Sequence, residues 1–153
     1  MTERRRFAPR KMELSELVRT LVGEHALMRE GIVKAKASAA ARDYEAVRRA
    51  LEEIDPVFKQ HIADEEAQIL GLLVAKLGVK RAQSDIAVFR QHRPIYNLME
   101  RISELAEQSS TELEMRQSEL DELFEEHARL EETQVFPKAT TLSIGSAEEE
   151  RSG

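Results

Sequence analysis

The segment FKQHIADEEAQIL, starting at Phe58, returns 66 residues later as FEEHARLEETQVF, starting at Phe124. The two share Phe, a His three residues on, Glu at the fourth and fifth positions after that His, and Gln at the seventh. A looser pair, LVGEHALM and VFRQHRPI, is offset by 67 residues, from His25 to His92. Self-similarity of this kind marks one supersecondary unit used twice, with corresponding residues around a pseudo-twofold axis.

The unit is a helix pair. Four amphipathic stretches keep helical spacing. The first runs from about Met12 to Ser38, with Leu14, Val18, Leu21, His25, Met28 and Ile32 on one face. Asp43 is placed to cap the second, whose stripe passes Val47, Leu51, Ile54, Phe58, His61 and Glu65 to Ile69 and Leu72. The stripe keeps its phase across Pro56, so a kink is expected there and not a break. After a connection over 77–83 containing Gly78, Ser84 or Asp85 opens the third, with Phe89, His92, Ile95, Tyr96, Met99 and Ile102 facing in. The fourth starts near Thr111, carries Leu113, Leu120, Phe124, His127, Glu131 and Val135, and is expected to end at Pro137. Short links between four such helices predict an all-α, up-down-up-down four-helix bundle over residues 12–139. Residues 1–11 are expected as a flexible basic tail and 140–153 as a flexible acidic one.

Composition agrees. Charged residues make up 34% of the 153, and Gly and Pro number only 6 and 4. Few β-branched or aromatic runs exist to build strands. Cysteine is absent, which excludes disulfides, thiolate metal sites and a cysteine nucleophile. The longest apolar run, Ile69 to Ala75, is far too short to span a bilayer, and MTERRRFAPRK has no apolar signal core. A cytoplasmic location is the default expectation. A net charge of −6 argues against nucleic acid as a main partner, and the Arg4-Arg5-Arg6 cluster reads as a solvated tail.

All four histidines lie on the apolar stripes, one per helix. From His25 to His61 is 36 residues, and from His92 to His127 is 35. At ~1.5 Å rise per residue, going up one helix and down its antiparallel neighbour returns to the same height after about that count. Glu65 and Glu131 each follow a histidine by four residues, which places them on the same face one turn on. Four imidazoles and two carboxylates are too many donors for one ion with an open position. They suit two ions, with each carboxylate bridging both and two imidazoles terminal on each. Nitrogen and oxygen donors without sulfur fit iron, with manganese or zinc as other occupants.

A single His on an apolar face is usually a satisfied core histidine. Four at one level, two with Glu one turn on, would cost several kcal/mol per buried ion unless cations compensate. The inward stripes offer few Lys or Arg to do so. The residues one turn before each histidine, Val22, Phe58, Phe89 and Phe124, pack the core first and would also line a dry pocket for a gas-sized ligand. Glu66 and Glu132 lie ~100° round the helix from the ligands and are expected in solvent. Tyr44 precedes His61 by 17 residues, too far along a continuous helix to reach the same centre.

The pattern His25, His61-x3-Glu65, His92, His127-x3-Glu131, closed by FP at 136–137, resembles the hemerythrin-like HHE cation-binding family over about Leu14 to Pro137. The Glu-x-x-His pattern of ferritin-like proteins is absent, since Val22, Phe58, Phe89 and Phe124 stand where its Glu would be. The resemblance implies a non-heme di-iron protein, its two irons joined by an oxo or hydroxo bridge. It would bind or react with O2, peroxide or NO in stress response or iron handling. Two departures from oxygen-carrying hemerythrins stand out. Tyr96 occupies the place of their second histidine in helix three, and Glu131, four residues after the last histidine, replaces an Asp at five. One donor fewer argues against reversible oxygen carriage. Tyr96 could bind a metal as phenolate, hydrogen-bond to a bound ligand, or only pack. The alternative function is a metal- or oxygen-responsive sensor or interaction module without turnover. A purely structural bundle with a polar core is a third. The oligomeric state is not encoded in any of these patterns.

Overall fold

Short polar links turn the amphipathic stretches back on one another, and the first shows how. The helix α1 (Leu14–Ala40) ends with Arg42 in the left-handed region at φ 57°. The Asp43 N–H bonds to the Ser38 carbonyl at 2.9 Å and that of Arg42 to Ala39 at 3.0 Å. This pair of bonds caps carbonyls left over at a helix C-terminus. Asp43 then caps α2 (Tyr44–Asp64), accepting from the Ala46 N–H at 3.2 Å. Sixty-seven residues on, Ser109 at φ 51° repeats the device at the end of the third amphipathic stretch, with Ser110 N–H bonded to Leu105 O at 3.0 Å.

The computed structural model describes the backbone of residues 7–152 and the side chains of 7–145. The chain is an all-α four-helix bundle, with no strand among the described residues. The first rod is α1. The second runs through α2, a π-helical segment at Glu65–Leu70 and α3 (Gly71–Arg81). The third consists of α4 (Gln83–Phe89) and α5 (His92–Glu107), and the fourth of α6 (Leu113–Leu130), a π-helical segment at Glu131–Val135 and α7 (Phe136–Ser152). Packing of α1 on α2, α2 on α5, α5 on α6 and α6 on α1 closes the ring, an arrangement compatible with up-down-up-down topology.

Helix α2 runs through Pro56 without a break, as expected. Several boundaries differ from expectation. The third rod opens at Gln83 and is interrupted at Arg90 and Gln91, so that His92 is the first residue of α5. The fourth rod starts at Leu113 and does not stop at Pro137. The π-helical segment just before Pro137 has already moved the backbone pairing, Phe136 N–H bonding to Glu131 O, so a residue without an N–H fits immediately after it. Beyond Pro137 the chain is helical to Ser152, and Ala139 is fully buried. Within the segment expected as a basic tail, Arg10 is hydrogen-bonded to Asp64 and Glu24. The Arg4-Arg5-Arg6 cluster lies outside the described residues.

The core divides in two. One apolar cluster contains Met28, Ile54, Phe58, Ile95, Met99 and Phe124. The other contains Leu17, Leu21, Ile69, Phe89, Val135 and Phe136. His25 lies between Leu21 and Met28, His61 between Phe58 and Ile69, His92 between Phe89 and Ile95, and His127 between Phe124 and Val135. The histidine layer is therefore a polar disc between two dry ones. No helix among the described residues is long and apolar enough to cross a membrane.

Candidate metal centre

Helical phase alone carries each histidine inward. The imidazoles of His25, His61 and His127 are at most 1% exposed and that of His92 is 5% exposed, while Glu65 and Glu131 are fully buried. The rings of His25 and His61 are 4.7 Å apart between centroids, and those of His92 and His127 4.8 Å. Glu131 Oε1 lies 2.9 Å from His25 Nε2, 2.9 Å from His127 Nε2 and 3.5 Å from His61 Nε2. Glu65 contacts His61 Nε2 through one oxygen and lies 2.9 Å from His92 Nε2 through the other.

These donors form two groups, each able to hold a metal ion. One is His25, His61, Glu65 and Glu131; the other is Glu65, His92, His127 and Glu131. Within each group the ligand atoms lie within 4.8 Å of one another. Both carboxylates belong to both groups. Despite the short distances, His61 Nε2, His92 Nε2, His127 Nε2, both Glu65 oxygens and Glu131 Oε2 are buried without an aligned hydrogen bond. Atoms that converge on a common point without facing one another as donor and acceptor suit a cation between them. A hydrogen-bonded polar core would not leave so many of its atoms unpaired. Among the described residues, no Lys or Arg ion pair reaches Glu65 or Glu131.

The outer nitrogens are held from behind. His61 Nδ1 lies 3.1 Å from Glu24 Oε1 and His127 Nδ1 lies 3.0 Å from Gln91 Oε1. An acceptor at Nδ1 puts the proton there and leaves the Nε2 lone pair facing the cage. His25 Nδ1 has Glu132 Oε2 at 3.5 Å. Sequence reasoning missed Glu24 and Gln91, although the signal was in the looser repeat: each directly precedes a ligand histidine, Glu24 before His25 and Gln91 before His92. It also placed Glu132 in solvent, whereas that side chain is 32% exposed and turned toward His25; Glu66 is exposed, as expected.

Electrostatics follow from the same contacts. Burial opposes charge on His61, but the negative Glu65 and the close carboxylates of Glu131 and Glu24 hold its pKa well above the ordinary imidazole value. Burial opposes charge on Glu131 as well, and the close imidazoles of His127, His25 and His61 hold its pKa well below the carboxylate range.

Of the four expected lining residues, Phe58, Phe89 and Phe124 are buried and Val22 is not. Phe58 and Phe89 pack edge-on to His92 at 6.0 and 5.7 Å, and Phe124 edge-on to His25 at 6.0 Å. Val22 is 37% exposed. On α1 the inward line passes through Leu17, Leu21, His25 and Met28, so Leu21 fills the place expected of Val22 and Val22 falls outside it. Phe136, named in the sequence only as part of the FP that closes the last motif, stacks on His25 at 5.9 Å and 14°.

Tyr96 packs away from the cage. Its half-buried ring lies 5.7 Å from Lys59 Nζ. The Glu100 carboxylate and burial raise the pKa of its hydroxyl, the direction opposite to what a phenolate ligand needs. Comparison of the chain with protein-family models, with curated proteins and with solved structures returns no match.

Proposed function

We propose that the cage holds a pair of iron ions and that the protein is a hemerythrin-like di-iron protein that binds or reacts with O2, peroxide or NO, in stress response or iron handling. The observation that carries this reading is the sharing of Glu65 and Glu131 between two four-donor groups. A single-ion site has no use for two carboxylates that each face both ways. The donor set of imidazole and carboxylate fits iron, and manganese and zinc are the competing occupants. The buried ligand atoms without an aligned hydrogen bond supply a reason for an ion to bind, because among the described residues no Lys or Arg reaches them.

Bound as a pair, iron supplies one-electron chemistry toward small oxygen and nitrogen species. The chain's own residues do the rest. Glu24 and Gln91 fix the tautomers of His61 and His127. Phe58, Phe89, Phe124 and Phe136 wall the layer against water. Two imidazoles and two shared carboxylates would supply fewer donors than an octahedral ion takes, which would give a small molecule somewhere to bind.

Metal analysis and visible spectra of the purified chain test this reading. About two irons per chain, with absorption bands that respond to peroxide or NO, is the expected result. The His61→Ala, His127→Ala double variant removes one nitrogen from each group and should lose most of the bound metal. Folded protein that takes up no iron under ferrous loading ends the reading. Stopped-flow mixing of reduced protein with O2, peroxide and NO in turn then separates turnover from ligand sensing.

A further inference from the structure

The two halves of the cage match inside but not behind it. Behind His127 the acceptor is the neutral Gln91, and the residue three on from this histidine is Leu130. Behind His61 the acceptor is the carboxylate of Glu24, and the residue three on is Asp64. Asp64 is fully buried. Its cationic partner comes from the segment before α1. The Arg10 N–H donates to Asp64 Oδ1 at 2.7 Å, and Arg10 Nε donates to Asp64 Oδ2 at 2.7 Å. Arg10 Nη2 donates to Glu24 Oε2 at 3.0 Å, while the other oxygen of Glu24 faces His61 Nδ1 at 3.1 Å. Two glutamines pin the same stretch of backbone, Gln60 Nε2 donating to Ala8 O at 2.9 Å and Gln68 Nε2 to Arg10 O at 2.6 Å.

We propose that Glu24 is a positioning residue for His61, and that residues 8–10 form a strap whose docking is coupled, through Arg10 and Glu24, to the ion held by His25 and His61. The inference rests on the reading of the cage as a metal centre. Glu24 can aim His61 only if its own carboxylate stays turned inward, and at 9% exposure it sits at the rim of the core. The planar guanidinium of Arg10 holds it there by bridging it to Asp64, a fork that an ammonium group does not reproduce. A ligand held through such an outer contact loses about 10- to 100-fold in metal affinity when the contact is removed. Coupling is reciprocal, so metal in this half must also tighten the strap. Among the described residues, no such segment bonds behind His127, so the other half should be insensitive to the strap.

The test is ferrous iron binding to the full chain without O2, by chelator competition. Arg10→Ala alone would strand the buried Asp64 charge, so the informative variant is Arg10→Ala with Asp64→Asn. Its expected result is one ion weakened about 10- to 100-fold and the other held as in wild type. Glu24→Ala should do the same, and Glu24→Gln, which restores the acceptor found behind His127, should retain most of the affinity. In wild type, iron should slow hydrogen exchange of the Arg10 amide. Unchanged affinity for both ions in the double variant, equal weakening of both, or an Arg10 amide indifferent to iron would overturn the strap while leaving the metal centre standing. Wild-type protein that binds no iron overturns both.

Discussion

Two of the cage histidines, His61 and His127, are held at the outer nitrogen by a residue outside the cage. Gln91 is the clearest case, because it is neutral and pairs with His127 Nδ1 alone among the cage nitrogens. Replacing it with Ala should leave the fold intact and cost about 10- to 100-fold in metal affinity. Equal affinities of the Gln91→Ala variant and wild type in chelator competition would show that packing alone orients His127. The convergence of the six cage side chains was legible in the sequence, since a period of four residues and a repeat offset are one-dimensional facts. The acceptors behind them were not, because Glu and Gln beside a histidine are ordinary neighbours until a second helix brings another ring against them. Val22 shows the same limit from the other side. Its offset from His25 equals that of Phe58 from His61, yet α1 meets its neighbours at a different phase and turns Val22 out.

At the scale of the helices, the cage is set by details that hydrophobic spacing does not reveal. Both π-helical segments begin at a cage glutamate, Glu65 and Glu131. A π-turn inserts a residue without ending the helix, so the inward phase moves on by one: Leu73 is fully buried where regular spacing pointed to Leu72, which is half-buried. A strict 3.6-residue wheel has no place for this irregularity. The approach of α1 to α2 is a second such detail. A Cβ on Gly31 would meet Ile54 Cδ1 and Cγ1 at 2.6 Å, and Ile54 is itself 4% exposed with little room to give. Gly31→Ala gains up to about 1 kcal/mol in helix propensity. Against this stands an overpacking cost of about 1–3 kcal/mol, so the variant should be less stable than wild type. In an Ile54→Ala background both obstructing carbons are gone, and the same change should become neutral or favourable. Denaturant unfolding of the four proteins measures the coupling, and additive effects would place the close approach elsewhere.

On the scale of the whole bundle, a charged layer between two apolar clusters makes stability depend on what neutralises it. Without metal the neutralisation is internal. His61, with its pKa raised above the ordinary 6.5, contributes stability that is fully present below that value and is lost as pH rises through the raised one. Glu131, with its pKa lowered below the ordinary 4.5, contributes stability that is present above that value and is lost as pH falls through the lowered one. Metal-free protein should therefore be best stabilised by this layer between the two ordinary values, and less so as pH climbs past neutrality. Metal reverses the trend on the alkaline side. A cation must displace the imidazole proton, so its binding releases protons and strengthens as pH rises. Bound metal adds to stability in proportion to the logarithm of its concentration over its dissociation constant. The difference in Tm between iron-loaded and metal-free protein should consequently widen from about pH 5 to about pH 8. Groups remote from the cage cancel in that difference, which makes it a measure of this layer alone. A gap that stays constant or narrows over the interval would mean that the imidazole protons are not what the metal replaces, and that the ion sits outside the histidine layer.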